Sequence, residues 1–82
     1  MMNEKKYGVY GVMWRMWQGT INFNQKPKYA TDDIEEAKAF IDKKLESLWN
    51  GDAILIVDYD KRSVILCKYK EDGVINEFVN KL

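Results

Sequence analysis

Tyr7-Gly8-Val9-Tyr10-Gly11-Val12-Met13-Trp14-Arg15-Met16-Trp17 is the stretch whose reading decides the fold. Successive side chains of a strand point to opposite faces. Read as a strand over about 6–17, one face carries Tyr10, Val12, Trp14 and Met16. The other carries Tyr7, Val9, Met13 and Trp17, interrupted by Arg15. A strand with one wet face alternates apolar and polar residues. This one does not, so its second face needs a cover: a central place in the sheet, a partner chain, or a ligand. Gly8 and Gly11 fall on opposite faces. Glycine inside a strand marks a bulge, a bend, or a close approach by another group.

Working outward, Gln18-Gly19-Thr20 reads as a hairpin turn and about 20–25 as a second strand, with Ile21 and Phe23 on one face and Thr20, Asn22 and Asn24 on the other. Gln25-Lys26-Pro27-Lys28 is a connector, because proline removes a ladder donor. Tyr29 to Ala37 reads as the opening of a helix. Asp32 and Glu35 match a capping box, and Thr31 or Asp33 are alternative caps. Ile34, Ala37, Phe40, Ile41, Leu45 and Leu48 form one apolar helical stripe. Trp49-Asn50-Gly51 ends it, with Asn50 or Gly51 suited to a left-handed cap.

Ala53 to Tyr59 is a β-branched run and reads as a central strand, followed by a polar turn at Asp60-Lys61-Arg62-Ser63. Val64 to Lys70 is the next strand, with Cys67 sharing a face with Ile65 and Tyr69, and Val64, Leu66, Lys68 and Lys70 on the other. Asp72-Gly73 between apolar runs is a hairpin signal. It favours a further strand over 74–79, although Ile75, Phe78, Val79 and Leu82 also fit a helical spacing. The expected architecture is α+β, a single domain over 1–82: an antiparallel sheet of four to five strands backed by one helix, in the order ββαββ(β).

The 82 residues hold 13 basic and 13 acidic side chains, a formal net charge of zero. That argues against a strongly electrostatic nucleic-acid binder or a polybasic membrane anchor. The charge is uneven: residues 1–30 carry +4, and residues 31–49 carry −3. Acidic residues gathering at a helix start satisfy the helix dipole, and a charge-steered partner surface is the alternative. Cys67 is the single cysteine, so no internal disulfide forms, which fits a reducing, cytoplasmic setting. No apolar run approaches the roughly 20 residues of a membrane span.

The chain has no histidine, which excludes Ser-His-Asp and Cys-His machinery and imidazole metal ligands. Phosphate-cradling glycine motifs are absent as well. Asp58 and Asp60, with Asp52 near in sequence, form a D-x-D that either holds Mg²⁺ or ends a strand and starts a turn; the turn is the simpler reading. Cys67 reads as a core residue. The expectation is a non-enzymatic binding module without a cofactor. Tyr10, Trp14, Arg15, Met16 and Trp17 are the interface candidates, being residue types enriched at interface cores. A protein partner is expected, with a homodimer as one form of it. The less favoured alternative is nucleic-acid binding through Arg15, Lys26, Lys28, Lys61 and Arg62 beside an aromatic sheet face.

Phe23, Tyr29, Thr31, Asp32, Glu35, Glu36 and Ala37 make a pattern of hairpin, aromatic, threonine or aspartate cap and Glu-Glu-Ala helix start. In this the first half of the chain resembles small phage and prophage accessory proteins. The resemblance implies a mobile-element protein that binds and blocks a host protein, defence nucleases among them. It carries no catalytic residues across.

Overall fold

The structure, a computed structural model, describes residues 5–13 and 25–79. The elements run β1 (Tyr7–Met13), β2 (Tyr29–Thr31), α1 (Ile34–Lys44), a 3₁₀ turn (Leu45–Ser47), β3 (Asp52–Asp58), β4 (Ser63–Glu71) and β5 (Val74–Val79). The five strands form one antiparallel sheet in the spatial order β2-β1-β3-β4-β5. The α+β class and the ββαββ(β) order follow as read from the sequence. One reading is corrected: Tyr29–Thr31, read above as helix opening, is a strand paired with Val9–Tyr7 of β1. Tyrosine and threonine favour a strand, and the helix cannot start before its cap. Of the expected strands, 14–17 and 20–24 lie outside the described residues.

Asp33 is the residue that caps α1, its Oδ1 accepting from Glu35 N at 2.9 Å. Asp32, the expected capping-box residue, instead accepts from Lys6 N at 2.9 Å and ties β1 to the helix start. Thr31 Oγ1 donates to Glu36 at 2.6 Å and accepts from Asp33 N at 3.1 Å, so strand end and helix start share one hydrogen-bonded corner. At the other end the helix tightens into the 3₁₀ turn and Leu48 is already extended. Gly51 has φ 91 and belongs to the turn into β3. Asn50 Oδ1 accepts from Gly73 N at 2.9 Å and so joins that turn to the β4–β5 turn.

Two apolar layers flank the sheet. On one side Ala37 and Ile41 of α1 pack on Val9, Ile54, Ile56 and Leu66, with Phe40 stacked on Tyr29 at 4.8 Å between ring centroids. Burying a side chain such as Ile41 is worth roughly 1.5–3 kcal/mol. On the other side Tyr10, Ala53, Leu55, Val57, Val64 and Cys67 form a second buried cluster. β3, central in the sheet, is buried on both faces, which is why it reads as an unbroken apolar run.

A bulge between Ile56 and Val57 shifts the β3–β4 register, so Val57 pairs with Val64 and Ile56 with Leu66. Ile65 is the extra residue. Val64 therefore packs with Cys67 and Ile65 with the helix-side cluster, the reverse of strict alternation. Beyond Tyr69 the alternation holds. Asp72 and Gly73 both have positive φ (54 and 80) between the paired residues Glu71 and Val74, the geometry of a type I′ hairpin turn. Residues 74–79 are accordingly a strand.

Candidate functional site

A cleft of about 790 Å³ opens where β1 ends, between the C-terminal end of α1 and the start of β3. Its described lining includes Met13, Lys28, Phe40, Lys44, Trp49 and Asp52. The 3₁₀ turn swings Trp49 off the helix stripe and leaves it 77% exposed; Met13 is 60% exposed. Lys44 Nζ sits 5.4 Å from the Phe40 ring centroid, a cation–π distance. Lys28 N donates to Val9 O at 2.8 Å, and its side chain crosses β1 at Gly11. A Cβ on Gly11 would come within 2.6 Å of Lys28 Cε, so glycine there lets the lysine stem lie along the strand. The result is an open apolar floor with two ammonium groups at the rim and one carboxylate, Asp52. Such a surface suits an apolar anchor flanked by acidic groups.

Tyr10 faces inward. It is 1% exposed, and its hydroxyl meets that of Tyr59 at 2.6 Å with the rings edge to face. Burial, and then the hydrogen bond to Tyr59, holds its phenol well above the usual range. The second face of β1 at Tyr10 is thus buried within one copy of the chain and needs no partner there. Trp14, Arg15, Met16 and Trp17 lie outside the described residues.

Of the nucleic-acid candidates, Lys26 and Lys28 are exposed before β2, with Lys28 beside Gly11. Lys61 and Arg62 occupy the β3–β4 turn, next to Asp58, which pairs with Tyr7 at the other end of β1. Lys28 thus lies beside Val9 and Gly11, and Lys61 and Arg62 lie past the Tyr7 end of β1, so the candidate cations do not gather into one patch with it.

Asp58 is 5% exposed, and its Oδ1 accepts from Asp60 N (2.9 Å) and Lys61 N (3.2 Å). It organises the turn, as the simpler reading of the D-x-D expected. Among the described residues no group of three His, Cys, Asp or Glu side chains is placed to hold a metal. Cys67 is fully buried, and burial pushes its thiol up to about 11. That disfavours the thiolate a nucleophile needs.

The sequence reading did not single out Trp49, Phe40 or Lys44 as a site. The available signal was Trp49 beside a glycine turn, one residue past the apolar stripe. Comparison with known protein families, with characterised proteins and with solved structures finds no match for this chain. No helix among the described residues is long and apolar enough to cross a membrane.

Proposed function

We propose that this chain is a non-enzymatic binding module acting through protein–protein contacts, with the cleft at the end of β1 as its described contact surface. The observation that carries the reading is Trp49, 77% exposed beside Met13 and two lysines at an open cleft. Tryptophan is among the residue types enriched at interface hot spots, and the two lysines add a rim charge that steers an acidic partner. Of the residues the sequence offered for chemistry, Asp58 is committed to a turn and Cys67 to the core. The fitting partner segment offers an apolar side chain to Trp49 and acidic groups to Lys28 and Lys44. Trp14, Arg15, Met16 and Trp17 follow Met13 in the sequence and complete the candidate set. In keeping with the likeness to phage accessory proteins, the partner we favour is a host protein that the module occludes.

The test is affinity capture from extracts of the encoding organism with the wild-type chain and a Trp49→Ser variant of equal stability. A partner retained by the wild type and lost by the variant supports the reading. Capture indifferent to Trp49 refutes the cleft's part in it. Retention of RNA or DNA at low salt, falling steeply as salt rises, would replace it with the nucleic-acid reading.

A further inference from the structure

We propose that β5 is a self-pairing edge: two copies of the chain join β5 to β5 antiparallel, with Asn76 of one copy opposite Asn76 of the other. The surface is at the far edge of the sheet from the cleft, so this inference is independent of the function proposed above.

The two edges of the sheet are built differently. β2 is three residues long, too short to template another strand. β5 has six residues, and among the described residues nothing pairs with its outer side. Edge strands are normally protected by charged side chains, lysine above all, by proline, a bulge or shortness. Val74-Ile75-Asn76-Glu77-Phe78-Val79 has no lysine, proline or bulge; its pairing with β4 is regular, and its one charge, Glu77, is taken up by Lys68 at 3.6 Å. Val74, Ile75, Phe78 and Val79 are all among the exposed large hydrophobic residues. The type I′ turn fixes the strand's direction and its ladder with β4 is regular over all six residues, so the outward backbone groups of β5, unpaired among the described residues, form an ordered row.

The strand's own sequence selects the occupant. Antiparallel pairing about a two-fold axis normal to the sheet sets one residue against its own copy. The two registers that keep most of β5 paired centre on Asn76 or on Glu77. Centring on Glu77 places two carboxylates directly opposite, which is unfavourable; Lys68, 3.6 Å from Glu77, is also shared with Asp42 at 3.0 Å. Centring on Asn76 sets Val74 against Phe78 of the second copy, twice, with an Asn76 pair between them. Phe78 lies on the Cys67 side of the sheet and Val74 on the same side, so these apolar pairs make one stripe. Glu77 then faces Ile75 of the second copy and keeps Lys68. Directly opposite residues share a face, so both copies of α1 lie on the same side of a continuous sheet. The two clefts stand at its distant ends, which makes the assembly bivalent.

Six residues a side are far fewer than the roughly 20–30 of a standard interface, so the pairing is weak and concentration-dependent. Sedimentation equilibrium from micromolar to millimolar concentration should show a monomer–dimer equilibrium. Phe78→Lys, at an exposed site, should weaken it about tenfold or more through its two Val74 contacts. Under mild oxidation Asn76→Cys should cross-link across the axis many times faster than Val74→Cys, an exposed control whose two copies sit four residues apart along the strand. Circular dichroism confirms that each variant is folded. A wild-type chain that stays monomeric throughout overturns the proposal. So does a dimer that Phe78→Lys leaves intact, or equal cross-linking at the two cysteine sites; either would mean association through another surface. A β5 edge that takes up an unrelated extended peptide but not a second copy overturns it likewise.

Discussion

Gly8→Ala is the sharpest test of how the second face of the sheet is closed. A Cβ at position 8 would run into the Tyr59 hydroxyl and ring, with Cζ only 2.6 Å away. Tyr59 is held there from both sides: its N donates to Lys6 O at 2.9 Å, and its hydroxyl pairs with that of buried Tyr10. Overpacking of this kind costs about 1–3 kcal/mol. Displacing Tyr59 also strips Tyr10 of its partner, another roughly 1–3 kcal/mol for a buried hydroxyl left unpaired. Against this, alanine is intrinsically better than glycine in a strand by about 0.5–1 kcal/mol. The net expectation is a loss of about 3 kcal/mol, or a Tm lower by roughly 12–24 °C for a domain of this size. Urea unfolding followed by circular dichroism measures it. The decisive arm is the same substitution in a Tyr59→Ala background, where the obstruction is gone. There Gly8→Ala should be neutral or stabilising by up to about 1 kcal/mol, a change of sign. If it costs as much in the Tyr59→Ala background as in the wild type, the close approach is not what requires glycine at position 8, and the reasoning fails.

Other consequences are smaller and equally measurable. Asp58→Ala should cost about 1–3 kcal/mol by unpairing the Asp60 and Lys61 amides, while Asp58→Asn, whose amide oxygen still accepts, should cost less than about 1 kcal/mol in urea unfolding. Because burial raises the Cys67 thiol from 9.0 to about 11, the unfolded chain ionises first. Stability should therefore hold below pH 9.0 and fall as pH rises toward about 11, and Cys67→Ala should remove that part of the alkaline loss. Tyr10, raised above its ordinary 10.0, adds a further loss at higher pH that the Cys67 variant retains. In the native state at neutral pH the thiol should react with disulfide reagents only at the rate of unfolding. Lys68→Met should cost about 0.5–1 kcal/mol by removing the link among Asp42, Glu77 and β4, and the cost should shrink in high salt.

Much of the architecture is local chemistry and was legible. The α1 stripe as far as Leu45, the Asp-Gly turn and the doubly apolar run of β3 each follow from spacing and residue type alone. So did the commitment of Asp58 to a turn and of Cys67 to the core. Leu48, expected on the same helix, is already extended. What was not legible depends on partners distant in sequence. Asp32 and Asp33 are indistinguishable as caps until β1 arrives: the Lys6 amide then takes the Asp32 carboxylate and leaves Asp33 for the helix. Tyr29 to Thr31 reads as the opening of the helix, and pairing with β1 makes it a strand instead. The swap of Val64 and Ile65 between faces is invisible because a bulge is a relation between two strands.

The candidate site divides in the same way. Tyr10 has the composition of an interface residue, and composition cannot tell a buried ring from an exposed one; its contact with Tyr59, 49 positions away, puts it in the core. Trp49 and Lys44 matter because the 3₁₀ turn and the end of β1 bring them beside Met13 and Lys28. Sequence by itself determined the helix, the strands β3 to β5 and their order, since these rest on periodicity and turn chemistry within a few residues. Only tertiary structure decided which apolar groups are covered and which remain on offer. Coverage is set by strand register and by contacts between segments far apart in the chain, and no local pattern encodes them.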